Sequence, residues 1–130
     1  MPEPRKDCET VFYKDHCWTP DDLLLGISEQ GDIFAIENQD IVWKIKDKST
    51  NISKIFAYPM GFALGYENGF MRFYEKGPKK NEFNFLRTWT HETLQGIRII
   101  AMAYHEVSAN EKILAIANKN NNITYLNLIG

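Results

Sequence analysis

Apolar residues in this chain come in short runs, and the runs come in pairs separated by a few turn residues. The clearest pair is LLLGISEQGDIFAIENQ, Leu23 to Gln39, where two apolar runs flank a polar break that ends in Gly31. That pattern predicts a tight β-hairpin. The pattern recurs. Leu24–Glu37 aligns without a gap with Leu114–Asn127 at an offset of 90, and Leu64–Glu75 is a copy at an offset of 38. A further apolar run precedes each copy: DHCWTP, ISKIFAYP and IRIIAMAYH. Ninety residues over two steps give about 45 per repeat, the length of a four-stranded propeller blade.

The strands follow from the same pattern. Val11 to Trp18 reads as a strand closed by the turn TPDD, in which Pro20 and two aspartates favour chain reversal. Leu23–Ser28 and Ile33–Ile36 form the hairpin, and both faces of its first strand are apolar or small. A sheet with one wet face alternates apolar and polar residues, so this one is expected to be covered on both sides. Ile41–Ile45 reads as an outer strand that runs into the charged loop KDKSTN. Ile52–Tyr58 opens the second copy. Its hairpin turns at Glu67-Asn68-Gly69, where Asn-Gly predicts a type I′ turn with two left-handed residues. Lys76–Glu82 reads as a polar loop and Phe83–Trp89 as the next outer strand. Ile97–Tyr104 reads as the inner strand of the third copy, HEVSANE as a surface loop, and NKNNN as the last hairpin turn. No long stretch keeps a helical period.

The expected fold is therefore all-β: a partial β-propeller of about three four-stranded, WD-repeat-like blades. The blades are placed near 11–51, 52–96 and 97–130, after a lead-in at 1–10. Closed rings typically hold four to eight blades. The chain is thus expected to be completed by further blades of a longer protein or by another chain. Alone, its end blades would leave apolar faces and open strand edges in water, so self-association is expected.

Composition narrows the function. Of 130 residues, 44% are hydrophobic, enough for a packed core. The net charge of −2 gives no basic excess, so nucleic acid is not the expected partner. No apolar run approaches the ~20 residues of a bilayer span, and the start MPEPRKDCET has no apolar signal region, so no membrane partner is expected. Two cysteines, Cys8 and Cys17, fit a reduced, intracellular protein.

Candidate chemistry is thin. Cys8, His16, Cys17, His91 and His105 lack metal-ligand spacing, and His16 and Cys17 as strand neighbours point to opposite faces. Nothing in the sequence activates Cys17 as a nucleophile. Asp21-Asp22 and Glu29 read as turn residues rather than an acid–base pair. Gly26, Gly61 and Gly65 read as strand glycines, where another chain segment approaches closely, and not as a phosphate loop. Lys76, Lys79 and Lys80 read as solvated loop charge. Trp18, Phe56, Tyr58, Phe62, Phe70, Phe73 and Trp89 read as core, and any exposed on the rim as interface anchors. No catalytic, cofactor-binding or metal-ligating residue is assigned, no cofactor is expected, and the chain is not read as an enzyme.

Three stretches carry a family resemblance: DHCWTPDDLLLGISEQGDIFAIENQDIVWK (15–44), IFAYPMGFALGYENGFMRFYEK (55–76) and EKILAIANKNNNITYLNL (111–128). They resemble, in order, the N-terminal propeller region of the cilia- and flagella-associated protein 57 family, axonemal WD-repeat proteins. The D-H-C-W-x-P-D-D segment is the most specific. No Trp-Asp dipeptide and no Gly-His pair occur in the chain. The resemblance implies a scaffold of the motile cilium, in cytoplasm and cytoskeleton, that helps place and regulate inner dynein arms on doublet microtubules. Its implied partners are axonemal: inner dynein arm components and the doublet microtubule. The alternative is a generic intracellular WD-repeat protein–protein interaction module outside cilia.

Overall fold

The computed structural model describes residues 13–47 and 51–129, with only the backbone described at Tyr13. The lead-in at 1–10 with Cys8, and Val11 and Phe12 of the first expected strand, lie outside the described residues. Eleven strands form three antiparallel sheets. The first blade holds β1 (Tyr13–Trp18), β2 (Leu24–Ser28), β3 (Asp32–Glu37) and β4 (Asp40–Lys46). The second holds β5 (Ile52–Tyr58), β6 (Gly61–Tyr66), β7 (Met71–Lys76) and β8 (Phe83–Trp89). The third holds β9 (Ile99–Ser108), β10 (Glu111–Asn118) and β11 (Ile123–Asn127). In each sheet neighbours in sequence are neighbours in space. The inner strands β1, β5 and β9 stand side by side. This is a partial propeller.

Two expectations about the strands need correction. The third sheet has three strands among the described residues, not four. HEVSANE is no surface loop: His105–Ser108 continue β9, with Ser108 paired to Glu111 and Glu106 to Lys112. Its polar residues misled because they lie on an exposed strand end, where a Lys112–Glu106 ion pair at 3.6 Å replaces apolar packing.

The repeat is written into the turns. At equivalent positions Gly31, Gly69 and Asn121 donate their N–H to the carbonyls of Ser28, Tyr66 and Asn118, at 3.1, 3.2 and 3.0 Å. Their φ values are +87°, +83° and +65°. Each is a three-residue loop in which a type I turn is followed by one left-handed residue. The expected type I′ turn at Asn68-Gly69 is therefore not formed, because only Gly69 has positive φ. Tertiary contact decides this. The Asn68 carbonyl accepts the Gly96 N–H at 2.7 Å, and a Cβ on Gly69 would stand 1.7 Å from the Leu94 carbonyl oxygen.

Each linker between blades is tied to the turns on both sides of it. After the first blade, the Asp47 N–H donates to Gly31 (2.8 Å) and the Asn51 carbonyl accepts from Glu67 (2.9 Å). After the second, the Gly96 N–H donates to Asn68 and the Arg98 carbonyl accepts from Lys119 (2.9 Å).

Between blades the contacts are apolar. Leu23, Leu25, Ile27, Ile33 and Ala35 face the second blade, where Ile52, Ile55, Phe62, Leu64 and Tyr74 meet them. Trp43 of β4 packs edge-on against Phe83 (5.2 Å), Phe62 (5.9 Å) and Tyr74 (6.3 Å). The far side of the second blade gives Ala63, Met71 and Phe73 to Ile99, Leu114 and Ile116 of the third. Gly65 lets these sheets close: a Cβ there would stand 2.7 Å from an Ile99 methyl.

Two substitutions separate strain from collision. Gly96 also has positive φ (+76°), but a Cβ there would meet nothing within 4 Å. Gly96→Ala is expected to cost about 1–2 kcal/mol, the left-handed strain alone. Gly69→Ala is expected to lose a further ~1–3 kcal/mol to overpacking against Leu94. Chemical denaturation of both variants checks the order; equal losses would contradict the turn geometry.

Candidate functional site

A fold made of repeated sheets offers three kinds of site: polar clusters at the loop ends, outer rims, and faces that no blade covers. The loop ends are occupied by internal bonding. Asp47, in the charged loop that follows β4, has a side chain only 1% exposed. It accepts the Tyr66 hydroxyl of the second blade and lies 3.6 Å from the Arg72 guanidinium. Burial, with Asp47 beside it, pushes the Tyr66 hydroxyl well above the usual tyrosine range. Tyr66→Phe would leave the buried carboxylate short of a donor. The expected loss is about 1.5–3 kcal/mol of unfolding free energy by denaturant titration, and no loss would refute the coupling.

The acidic and basic loop residues pair with one another. Asp21 Oδ2 accepts from Lys76 Nζ at 2.8 Å, and Asp21 Oδ1 from the Thr19 hydroxyl at 2.6 Å. The Lys76 hydrogen bond, then that from Thr19, holds the Asp21 carboxyl below its ordinary value. Lys80 reaches Glu37 at 3.4 Å, so two of the three loop lysines bind the second blade to the first. Lys79 is exposed in the same loop, Asp22 sits in a left-handed turn (φ +66°), and Glu29 is exposed in the first hairpin turn.

The described histidines and cysteine do not converge. His16 faces outward from the first blade beside Leu24, Gly26 and Phe34, whereas Cys17 packs inward on the core. His91 bonds Thr93 within the second linker (2.9 Å), and His105 lies on the outer face of the third blade. Among the described residues no three His, Cys, Asp or Glu side chains group as a metal site. Burial pushes the Cys17 thiol up to about 12, the opposite of nucleophile activation. Little thiolate is therefore present near pH 8. A small alkylating reagent, followed by peptide mass spectrometry, is expected to modify Cys17 at least about a hundredfold more slowly than free glutathione. Modification at the glutathione rate would overturn this reading.

The aromatic set divides. Phe62, Phe73 and Tyr58 are buried, Phe56, Phe70 and Trp89 half-buried, and Trp18 is 63% exposed at the end of β1. The main exposed apolar surface lies elsewhere, on the third blade. The residues that face the next blade in the first sheet are Leu23, Leu25, Ile27, Ile33 and Ala35, all buried. Their counterparts in the second sheet are Gly61, Ala63, Gly65, Met71 and Phe73, also buried. In the third sheet they are Ile113, Ala115, Ala117, Ile123 and Tyr125. These remain apolar, yet Ile123 is 59% and Tyr125 69% exposed. Ala101 and Ala103, paired with Ala117 and Ala115, extend the same flat face. Sequence reasoning foresaw an uncovered face but not its residues; the offset of 90 identifies them.

Comparison with known proteins shows the fold. No family model matches the chain, and no curated protein matches it in sequence. Among solved structures, the chain is similar to Sqt1 of Saccharomyces cerevisiae, with a TM-score of 0.66 at 13% identity. The likeness covers 88% of this chain and 32% of that one, so the chain spans about a third of the length of the protein it matches. The likeness shows the fold, a partial propeller.

Proposed function

We propose that this chain is a propeller interaction module, a scaffold without catalytic chemistry of its own. One observation carries the reading. The third blade keeps apolar residues at the positions that the first two blades bury against a neighbour, and leaves them in water. A flat apolar face of this kind takes another blade or a polypeptide segment rather than turning over a small molecule. The pairing of loop charges with one another, and the raised Cys17 thiol, support the same reading.

The finer reading rests on the family resemblance. We propose an axonemal scaffold, in cytoskeleton and cilium, that helps position inner dynein arms on doublet microtubules. The second reading is a generic intracellular adaptor, favoured by the likeness of these blades to those of a yeast protein. Fractionation of ciliated cells expressing the tagged protein separates the two. The axonemal reading expects the protein to stay with axonemes after detergent extraction, and its depletion to lower their inner-arm dynein content. A wholly detergent-soluble protein with unchanged dynein content would overturn that reading and leave the generic adaptor.

A further inference from the structure

The turn at Asn68-Gly69 carries chemistry that the other two hairpin turns lack. Asn68 alone among the asparagines of the chain is followed by glycine. An asparagine side-chain amide is open to attack by the backbone nitrogen of the next residue. Glycine offers that nitrogen with no side chain to shield it. The equivalent turns carry Gln30-Gly31 and Asn120-Asn121. The larger ring that Gln30 would need closes slowly, and Asn121 shields its own nitrogen with a side chain.

The folded turn keeps both reactants in other bonds. Asn68 Oδ1 accepts the Phe70 N–H at 3.1 Å, and the Gly69 N–H donates to the Tyr66 carbonyl at 3.2 Å. Asn68 is exposed, whereas Gly69 is buried. The linker to the third blade buries it. The Gly96 N–H donates to the Asn68 carbonyl at 2.7 Å, and the Leu94 and Ile97 carbonyls close over Gly69. The same linker is bonded onward to the third blade. Asn118 Nδ2 donates to the Thr93 carbonyl at 2.9 Å, and the Thr93 and Thr124 hydroxyls meet at 2.6 Å. The Gly69 nitrogen can leave the Tyr66 carbonyl and turn onto the Asn68 side chain only when this linker lifts, a local opening of the kind that precedes global unfolding.

We propose that Asn68-Gly69 is a masked deamidation site, and that the linker between the second and third blades is its mask. When the linker lifts, the Gly69 nitrogen gives its proton to solvent and forms a bond to Asn68 Cγ. The bond from Cγ to Nδ2 breaks, and the amide group leaves as ammonia after taking a proton back from solvent. Water then opens the cyclic imide at either carbonyl, leaving aspartate or isoaspartate. Nothing is oxidised or reduced, and water is the sole co-reactant. In the isoaspartate product the main chain runs on through Cγ and is longer by one carbon. The carbonyl that accepted from Gly96 becomes a free carboxylate next to Glu67. The linker can no longer close on the turn as before, so the second and third blades lose this tie. The inference stands on the turn and the linker, and does not rest on the reading of the chain as an interaction module.

The test ages the 130-residue protein in mildly alkaline buffer and follows each asparagine by peptide mass spectrometry, with enzymatic methylation to detect isoaspartate. Asn68 is expected to convert before any other asparagine, and more slowly than in the free peptide 61–76. Gly96→Ala, which strains the linker without colliding with anything, is expected to speed the conversion about five- to thirtyfold. Amide exchange at Gly96 and Lys119 is expected to be faster in the isoaspartate fraction than in fresh protein. Asn68→Ser, whose hydroxyl can still accept the Phe70 N–H, is expected to age without that change. Conversion spread evenly over the asparagines, or a rate in the protein equal to that in the peptide, would overturn the proposal. So would an equal rate in Gly96→Ala, or unchanged Gly96 exchange in the isoaspartate fraction.

Discussion

The fold rests on one constraint: its sheets are apolar on both faces, so every blade must be packed between two others. A sheet of a sandwich or an open layer can turn a polar face to water. These cannot. Leu25 and Ile27 of the first blade, and Phe62, Leu64, Ala63 and Phe73 on the two sides of the second, are all 1% exposed or less. Apolar burial contributes roughly 25 cal/mol per Å², so an uncovered face forfeits several kcal/mol, comparable with the whole stability of a small domain. The second blade satisfies the constraint on both sides, and the third satisfies it on one.

The polar parts of the structure serve that stacking. Turn residues 31, 69 and 121 set the hairpins at one level, and the linkers bond to the turns on either side. Asp47, Tyr66 and Arg72 fix the first blade against the second at one end, and Asp21 and Lys76 do so at the other. The exposed pair is worth little by itself. The buried one matters more, because removing a partner strands a carboxylate whose side chain is 1% exposed. What stacking leaves over is a flat, alanine-rich face on the third blade.

Much of this was legible in the sequence, because local chemistry and fold agree at the hairpins. Gly31, Gly69 and Asn121 mark the turns, since few other residues adopt positive φ without strain. The apolar runs mark the strands, and their spacing marks the blades. What was not legible depends on residues far apart in sequence. The turn at Asn68-Gly69 takes its form from Leu94 and Gly96. The burial of Asp47 in a charged loop could not be read locally, because its partners Tyr66 and Arg72 belong to another sheet. The far end of β9 looked like a loop because His105, Glu106 and Ser108 are polar, although their backbone pairs with β10. The site was the least legible part. Ile123 and Tyr125 read as ordinary strand residues, and only comparison with buried Ile33 and Ala35 shows that their exposure is anomalous.

The stacking account is tested most directly by native-state amide hydrogen exchange compared blade by blade. Sheets that open locally exchange at a free energy below that of global unfolding. The account predicts strongest protection in β6 and β7, which have a neighbour on each face. It predicts weaker protection in β10, and least in β11, which has an uncovered face and an open edge. Equal protection of β6, β10 and β11 in the monomeric protein would contradict it, because the third blade would then need no further cover.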